Sequence, residues 1–435
     1  MANMTQHNVA RVEMWGQLVG ALSHDDRSGL CAFQYAPEWI QGGIEISPVK
    51  LPLSNRVYQF PALPRDTYRG LPGAFADTLP DDFGNAVIDA WLARSGRDRE
   101  TFSSLERLLY TGSRGMGALE YLPSIERPVS AAMPLELDGL VAMAQSVLDQ
   151  RSGLAESLVE GNGEALSAIL QVGTSAGGAR PKAVIGINAD RTEIRSGQVD
   201  LPDGFEHYLL KFDGVVEHSA AKETFGDPQG FGRMEYAYYL MARDAGIDIS
   251  PCELLQDGER AHFMTRRFDR IGNKKLHYQS LCAMDHADYK QPGHYSYEQL
   301  FSLMRSLRFK KAAALELYRR MVFNIVARNH DDHTKNFGFI LDRSGQWQLA
   351  PAFDIAYSYK PGSKWVNSHQ LSLNGKRDDF TREDLLLPAE KFRKDAEQII
   401  DEVIEVVSQW PKYAAEAGVF PAFSTEIAQS HRLYL

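Results

Sequence analysis

Apolar and polar positions alternate over the first part of the chain, and this pattern predicts an N-terminal β-meander. The stretches VARVEMWGQLVGAL and CAFQYAPEWI are rich in β-branched and aromatic residues, which favour strands. The segment SHDDRSG between them contains the glycine, aspartate and serine residues that are typical of a turn. We therefore predict strands on both sides of this turn.

The middle of the chain mixes helical and strand patterns. DDFGNAVIDAWLARSG, SSLERLLYTG and RMEYAYYLMARDAGI have helical spacing, and each is followed or ended by a glycine that can stop the helix. PDGFEHYLLKFDG predicts a short strand with turn residues on both sides. ELLQDGERAHFMTRRFDR resembles a hairpin around Asp257-Gly258. This part of the chain is therefore expected to be α/β.

The last third has a different pattern, because nearly every segment from SYEQLFSLMRSL onward has helical spacing. We find no internal repeat and no low-complexity segment. The chain has 435 residues, which is typical of two or three domains. The patterns thus predict an α/β first part and a mainly helical second part, with the change between residues 270 and 290.

Composition narrows the class of protein. The cysteines Cys31, Cys252 and Cys282 have no paired spacing, so we expect neither disulfides nor a zinc ribbon, and a reducing, cytoplasmic setting. The sequence has no secretory signal pattern and no apolar run near 18 residues, so we expect no membrane partner. The formal net charge of -10 argues against a dedicated nucleic-acid binder and favours catalysis or partner binding.

Two glycine-rich segments are candidates for a phosphate-binding loop. QVGTSAGGARPKAVIGI combines three clustered glycines with Lys182 at the start of a strand-like run. Glycines let backbone N–H groups converge on an anion, and a nearby cation adds attraction. The segment does not match a Walker motif, and such a loop is also common as an ordinary turn. Only this segment has all these parts, and we interpret the other, YTGSRGMGALEY, as a structural turn.

The segment NHDDHTKNFGFI, residues 329–340, concentrates polar side chains that can serve chemistry. Adjacent residues cannot all face one metal ion, and the segment lacks H-E-x-x-H, so a metal-dependent hydrolase is disfavoured. Asp331 and Asn336 are five positions apart (336 minus 331), the spacing of a kinase catalytic loop. Asp354 follows an apolar, strand-like stretch and lies 23 positions after Asp331 (354 minus 331). Phosphoryl transfer needs a proton acceptor and oxygen ligands for Mg²⁺, which these three residues can supply.

Lys211 and Glu235 extend this set. Lys211 lies in the predicted strand HYLLKF, and Glu235 lies in the helix that follows. In kinases a lysine and a glutamate in such positions pair and hold the phosphates of ATP. The alternatives are a strand-end lysine that reaches solvent and a surface charge on a helix.

With these residues in place, the chain resembles the HipA family of toxin-antitoxin serine/threonine kinases. The motifs that carry the resemblance occur in the order of that family: LPGAFADTLPDDFG, TGSRGMGALEYLP, SAGGARPKA, LLKF, RFDR, NHDDHTKNF and LAPAFDI. It implies an α+β, protein-kinase-like fold of two lobes. We expect a β-rich N-terminal subdomain at 1–125, a kinase N-lobe with the phosphate-binding loop at 126–270, and an all-α C-lobe at 271–435.

The resemblance also implies roles for individual residues. Asp331 would be the catalytic residue, and Asn336 and Asp354 would hold Mg²⁺. The adenine of ATP would contact the backbone of residues 266–268, and the ribose would lie near Asp269. The full set expected at the cofactor site is Thr174, Ser175, Ala176, Gly177, Lys182, Lys211, Glu235, Arg266, Arg267, Phe268, Asp269, His333 and Lys335.

The loop at 173–182 carries a further expectation from the resemblance. In this family a serine of the loop can be autophosphorylated, which expels the loop from the ATP site and silences the enzyme. Ser175 matches that serine, and Thr174 is adjacent. This chain departs from better-known members at Arg180-Pro181, where they carry Gln and Glu.

Partners follow from the resemblance as well. It implies a small helix-turn-helix antitoxin like HipB, contact with DNA through that antitoxin, and a protein substrate such as an aminoacyl-tRNA synthetase. The segment MRSLRFKKAAALELYRR, read as one basic helix, is either a DNA or partner face or a solvated surface. The alternative to an active kinase is a kinase-fold binding module that acts mainly as a co-repressor.

Overall fold

The structure of the chain is a computed structural model that describes residues 7–94, 96–125, 134–151, 180–216, 226–227 and 229–435. The chain forms two structural units. The first comprises Met1–Gln229, Met264–Tyr278 and Asp342–Gly345. The second comprises Gly230–Phe263, Gln279–Leu341 and Gln346–Leu435. The three-part division at residues 125 and 270 stays a prediction.

The predicted N-terminal meander is confirmed. Its strands are β1 Val9–Met14, β2 Gln17–Asp25 and β3 Leu30–Tyr35. A fourth strand, β4 Leu119–Leu122, was not predicted; it pairs with β1, and the four antiparallel strands have the order β3-β2-β1-β4. Trp15 and Gly16 both have positive φ, 54° and 78°, which is the geometry of a tight two-residue hairpin. The end of the second predicted stretch is not a strand, because proline at residue 37 starts a helix.

Six helices of the first unit can be described. They are α1 Pro37–Gly42, α2 Arg65–Tyr68, α3 Gly73–Ala76, α4 Asp82–Arg94, α5 Ser104–Thr111 and α6 Leu137–Arg151, with a 3₁₀ turn at Arg99–Thr101. The predicted helices α4 and α5 are both confirmed. Ser103 and Glu106 form a capping box at the start of α5, and Gly112 follows its last residue with φ 57°.

The second sheet carries the candidate nucleotide site. Its strands and the short strands beside it are β5 Lys182–Asn188, β6 Ile194–Ser196, β7 Phe205–Lys211, β8 Val215–Val216, β9 Gly226–Asp227, β10 Cys252–Asp257, β11 Arg260–Arg266, β12 Arg270–Ile271 and β13 Lys274–Lys275. Strand β5 lies between β6 and β7, and its residues are buried from the first to the sixth. The predicted strand β7 and the hairpin around Asp257-Gly258 are confirmed.

The second unit is mainly helical. Its helices are α7 Phe231–Asp244, α8 Leu281–Asp285, α9 Tyr297–Ser306, α10 Lys311–Val326, α11 Arg382–Leu386, α12 Arg393–Ser408, α13 Trp410–Ala417 and α14 Pro421–Ser430, with a 3₁₀ segment at Leu387–Phe392. Tyr238 of α7 packs edge-on against Trp410 at 5.4 Å between ring centroids. Both rings are buried and belong to the core of this unit.

Two expectations for the C-terminal part are wrong. It is not all-α, because three strands form a sheet there: β14 His277–Ser280, β15 Gly338–Leu341 and β16 Trp347–Leu349. Strands of three or four residues are too short for a periodic pattern to identify. The basic segment 304–320 is also not one helix, because the chain breaks between α9 and α10, where Arg308 has φ 60°.

Candidate active site

The segment 329–336 leaves the buried helix α10 and enters β15, so its backbone is held from both sides. The N–H group of Asn329 donates to the carbonyl of Asn324, 2.9 Å away. The side-chain amide of Asn329 donates to the amide oxygen of Asn324, also at 2.9 Å. Thr334 donates its hydroxyl to the carbonyl of Ala287 at 2.6 Å. We call residues 329–336 the catalytic loop.

The two adjacent carboxylates of this loop have opposite environments. Asp332 is fully buried and accepts hydrogen bonds from the Tyr297 hydroxyl at 2.7 Å and from the Gln370 N–H group at 2.7 Å. His369 Nδ1 lies 3.0 Å from the same carboxylate. Asp331 keeps 43% of its side chain exposed. Of these two carboxylates, only Asp331 is therefore accessible to a bound molecule, whereas Asp332 fixes the loop.

Asn336 is tied to the backbone of Asp331. Its amide nitrogen donates to the Asp331 carbonyl at 2.8 Å, and its N–H group donates to the carbonyl of His333 at 2.9 Å. Because the amide nitrogen is used in this way, the amide oxygen is the atom that can ligate a cation. The five-residue spacing noted in the sequence thus corresponds to a direct hydrogen bond.

His333 and Lys335 flank one aromatic ring. The Lys335 ammonium lies 4.7 Å from the centroid of the Tyr289 ring, and the His333 ring lies 5.5 Å from it. His333 Nε2 is 3.6 Å from an Asp331 carboxylate oxygen. Lys335 adds a positive charge on the same loop.

Asp354 lies in a strained backbone position. Its φ is 57°, in the left-handed region that residues other than glycine rarely adopt. The chain just before Asp354 is held by the β-bridge between Ala352 and Ile249. Just after it, the Tyr357 N–H group donates to the Met234 sulfur. Such a conformation costs free energy, which the surrounding contacts must offset.

Two lysines of the first unit lie directly opposite each other. Lys182 and Lys211 are register partners on the antiparallel strands β5 and β7, so their side chains share one face of the sheet, and both are buried. Like charges in such a position repel each other unless anions neutralise them. Asp81 supplies one anion, 3.0 Å from the Lys182 ammonium. Burial raises the pKa of Asp81, and the nearby Lys182 opposes this shift.

The alternatives considered for Lys211 and Glu235 are excluded by their burial. Lys211 is not a strand-end side chain that reaches solvent, and Glu235 of α7 is not a surface charge. The two residues belong to different structural units. Their pairing stays a prediction.

The segment 266–269 adjoins β7 through its backbone. The Arg267 N–H group donates to the His207 carbonyl at 2.9 Å. Arg266 is half-exposed and pairs with Glu206 at 3.0 Å. Phe268 packs against Tyr278 with 5.6 Å between ring centroids.

Asp269 is fully engaged in a buried cluster. Its carboxylate pairs with Arg267 at 2.7 Å and with Arg270 at 2.5 Å, and it accepts from the Gly117 N–H group at 2.8 Å. Burial by itself would raise the pKa of Asp269, but the two guanidinium groups outweigh burial and lower it. Gly115 accepts from Arg270 at 3.2 Å. The three glycines of YTGSRGMGALEY therefore lie in a structural turn, as predicted, between α5 and β4, and Asp269 anchors this turn.

Several contacts had no signal in the sequence. Asp81 lies 101 positions before its partner Lys182 (182 minus 81), and His369 lies 37 positions after Asp332 (369 minus 332). No local pattern indicates such pairs. The expected loop residues Thr174, Ser175, Ala176 and Gly177 lie outside the described residues.

Asp354 and Asn336 offer oxygen ligands of the kind that magnesium prefers. In the part of the chain that the structure describes, no group of three His, Cys, Asp or Glu side chains is placed to hold a metal ion. Mg²⁺ in kinases is instead held by one or two protein oxygens together with substrate phosphates. Asp354 and the amide oxygen of Asn336 are of this type. Over the same described residues, no helix has the length and apolar character needed to cross a membrane.

Comparison with known proteins relates both parts of the chain to one family. Residues 10–122 match the HipA N-terminal domain, and residues 174–410, which are more than half of the chain, match the HipA-like C-terminal domain. A Sinorhizobium fredii protein named "Putative kinase Y4mE" is 24% identical over 363 residues, 78% of this chain and 75% of that protein. A Haemophilus influenzae protein named "Putative kinase" is 30% identical over 153 residues, 32% of this chain and 44% of that protein.

A solved structure has the same fold. It is the complex of HipA, HipB and operator DNA of the Shewanella oneidensis MR-1 toxin-antitoxin system. Its matching chain is 16% identical, with a TM-score of 0.66, over 98% of this chain and 97% of that one. This likeness confirms the α+β fold predicted from the sequence. Together with the two domain matches, it leads to one conclusion: this chain belongs to the HipA family.

Proposed function

We propose that this chain is an ATP- and Mg²⁺-dependent serine/threonine protein kinase. The observation that carries the proposal is the arrangement of the catalytic loop. Asp332 is buried and holds the loop, Asp331 is exposed, and Asn336 donates a hydrogen bond to the Asp331 backbone. A loop built this way presents one carboxylate to a hydroxyl and one amide oxygen to a cation.

Each residue has a defined task in this proposal. Asp331 accepts the proton of the attacking hydroxyl, which contributes roughly 10²- to 10⁴-fold to the rate. Lys182 and Lys211 attract the phosphates of ATP from one face of the β5-β7 pair. Bound Mg²⁺ would neutralise phosphate charge, with Asp354 and Asn336 as its protein ligands. Arg266, Arg267 and Phe268 would meet the adenine through their backbone.

The buried Asp269 cluster supports the adenine site indirectly. Because Asp269 already accepts from Arg267, Arg270 and Gly117, it fixes the segment that follows β11. We propose that this rigidity presents the backbone of 266–268 to the nucleotide.

The regulatory part of the proposal rests on the sequence of the loop at 173–182. Autophosphorylation of Ser175, or of the adjacent Thr174, would add a charge of roughly −1.5 to −2 that competes with ATP phosphates for the same N–H groups. The modified loop would leave the site and silence the kinase. Ser175→Ala is expected to remove the mark while ATP binding persists.

The biological role that we propose is that of a toxin whose kinase activity inactivates a translation component, such as an aminoacyl-tRNA synthetase. The Shewanella HipA structure contains HipB and operator DNA, which supports a helix-turn-helix antitoxin as partner and DNA contact through it. The same observation favours a second candidate, a co-repressor module without catalysis. Incubation with labelled ATP and Mg²⁺ separates the two candidates, because only the kinase transfers phosphate.

A further inference from the structure

The helix that precedes the catalytic loop ends in an unusual way. Helix α10 ends at Val326, and Ala327 follows as its C-cap. Arg328 then has a φ of 57°, in the left-handed region. This position after a helix is usually occupied by glycine, because a Cβ atom makes the left-handed conformation unfavourable. The backbone therefore enters the catalytic loop through a strained arginine.

The side chain of Arg328 makes contacts that can offset this strain. Its Nε atom donates to the carbonyl of Ser430, 102 positions later, at 2.9 Å. A terminal nitrogen donates to Asp378 at 3.2 Å, and the guanidinium lies 4.3 Å from the centroid of the Tyr359 ring. Only 14% of the Arg328 side chain is exposed. A strained conformation persists where surrounding contacts impose it, and these three contacts are of that kind.

Residues 430–432, which we call the anchor segment, bind the end of α10. The Arg432 N–H group donates to the Val326 carbonyl at 2.9 Å. The Arg432 guanidinium pairs with Asp378, the same carboxylate that binds Arg328. Asp378 thus joins the two arginines. The anchor segment is therefore held to this helix end through its backbone and through a side chain.

The middle residue of the anchor segment adds a further connection. His431 Nε2 lies 3.1 Å from the Tyr238 hydroxyl, which donates to the Ala327 carbonyl at 2.6 Å. The Ser358 N–H group donates to the next carbonyl, that of Arg328, at 3.2 Å. A helix leaves its last carbonyl groups without intrahelical partners. With the bond from the anchor segment, three successive carbonyls at this helix end accept hydrogen bonds.

We infer that the anchor segment positions the catalytic loop for phosphoryl transfer, because it holds Arg328 in the left-handed conformation from which the loop begins. Ser430 and Arg432 are then positioning residues. This inference rests on the proposed function, in which Asp331 accepts the proton of the hydroxyl. Asp332 fixes the loop on one side of Asp331, and the anchor segment fixes it on the other. A displacement of about 1 Å at a reacting group can lower a rate about 10²-fold.

The first part of the test compares two substitutions of Arg328. Alanine removes the side-chain contacts and keeps the backbone strain, whereas glycine removes both. Phosphate transfer from labelled ATP with Mg²⁺ is measured for the full-length parent, Arg328→Ala and Arg328→Gly. The kcat of Arg328→Ala should fall by about tenfold or more, and Arg328→Gly should recover most of this loss, because glycine adopts the left-handed conformation without help. Equal rates of the two variants would overturn the inference.

The second part tests the anchor segment itself with Arg432→Gln, which removes the charge that pairs with Asp378. This substitution should lower kcat by about threefold or more in the parent. In the Arg328→Gly background it should have little effect, because glycine needs no anchor. If far-UV circular dichroism shows that Arg432→Gln does not fold, Arg432→Lys, which keeps the charge but not the planar guanidinium, replaces it.

Arg308→Gly is the matched control background. Arg308 is exposed and has a φ of 60° after α9, so Arg308→Gly relieves the same kind of strain away from the catalytic loop. Arg432→Gln should keep its full effect on kcat in this background. The inference is overturned if Arg432→Gln acts equally in the Arg328→Gly background and in the parent, or if Arg308→Gly suppresses its effect as well.

Hydrogen exchange separates this inference from the proposed function. Amide exchange of residues 329–336, measured by mass spectrometry without nucleotide, should be faster in Arg328→Ala and in Arg432→Gln than in the parent. Adding Arg328→Gly to Arg432→Gln should slow it again. Unchanged exchange in Arg432→Gln would overturn the inference. If the parent transfers no phosphate, the proposed function fails, and the exchange rates still decide whether the anchor segment holds the loop.

Discussion

Asp331 and Asp332 are neighbours in the chain, yet Asp331 keeps 43% of its side chain exposed and Asp332 has none exposed. Asp332 is held by Tyr297, His369 and Gln370. The two carboxylates therefore differ in role: Asp332 keeps the loop in place, and Asp331 is the one that we propose meets the substrate. This division makes opposite predictions for the two residues.

Asp332→Asn should destabilise the protein, because the substitution would place an amide where a carboxylate now accepts three hydrogen bonds. We expect the free energy of unfolding to fall by about 2–4 kcal/mol. Asp331→Asn should change it by less than about 0.5 kcal/mol. Urea unfolding of both variants, followed by tryptophan fluorescence, measures the difference. Equal losses would show that Asp332 does not hold the loop.

Two substitutions of Asp354 separate the effect of backbone strain from the effect of metal binding. Asp354→Gly should be more stable than Asp354→Ala by about 1 kcal/mol, because alanine keeps the cost of the left-handed conformation. Both variants lack the carboxylate, so both should lose the Mg²⁺ dependence of ATP binding. Calorimetric titration of ATP with and without Mg²⁺ checks this. If the affinity of either variant stays as sensitive to Mg²⁺ as that of the parent, Asp354 is not a metal ligand.

The ion pair of Lys182 with Asp81 predicts a stability effect at the proposed nucleotide site. Lys182→Met would leave Asp81 buried without its cation, which costs about 3–5 kcal/mol. Changing both residues, Asp81→Asn with Lys182→Met, should recover part of this loss but not the affinity for ATP. Thermal unfolding and ATP titration of the three proteins provide the comparison. A double variant no more stable than Lys182→Met would contradict the pairing.

Buried histidines predict weaker folding in acid. Burial, with the nearby His369 and arginines, lowers the pKa of His330 to about 2, and burial lowers the pKa of His277 to about 4. Because these values lie below the unfolded value of about 6.5, the unfolded chain binds more protons, and stability falls as the pH drops below 6.5. At pH 5 each histidine should cost about 2 kcal/mol relative to pH 7.

The control for this effect is an exposed histidine. Urea unfolding at pH 7 and pH 5 should show a smaller pH dependence in His330→Gln than in the parent protein. His294→Gln, at an exposed position, should leave the dependence unchanged. If His330→Gln kept the full pH dependence of the parent protein, folding would not lower the pKa of His330, and this prediction would be wrong.

Local patterns predicted most of the elements but not how distant residues meet. The meander, α4, α5, α7 and the hairpin at Asp257-Gly258 follow from periodicity and from capping residues that lie within a few positions. The strands β15 and β16 were missed because they have four and three residues. The break at Arg308 was missed because the residues around it keep helical spacing.

The candidate site was predictable to a similar extent. The spacing of Asp331 and Asn336 is a local pattern, and in the structure the Asn336 amide nitrogen donates to the Asp331 carbonyl at 2.8 Å. The choice between Asp331 and Asp332 as the exposed carboxylate depends on Tyr297 and His369, which are distant in sequence. The buried pair of Asp81 and Lys182 likewise needs the fold. Sequence patterns therefore identify candidate chemistry, and tertiary contacts decide which side chains are engaged elsewhere.

The most direct test is the transfer of labelled phosphate from ATP in the presence of Mg²⁺ by three purified full-length proteins: the parent, Asp331→Asn and Asp379→Asn. Asp379 is fully exposed in the same unit and serves as the matched control. The parent and Asp379→Asn should transfer phosphate equally, and Asp331→Asn should be slower by about 10²-fold or more. Equal transfer by Asp331→Asn and the parent would contradict the assignment of Asp331 as the catalytic residue.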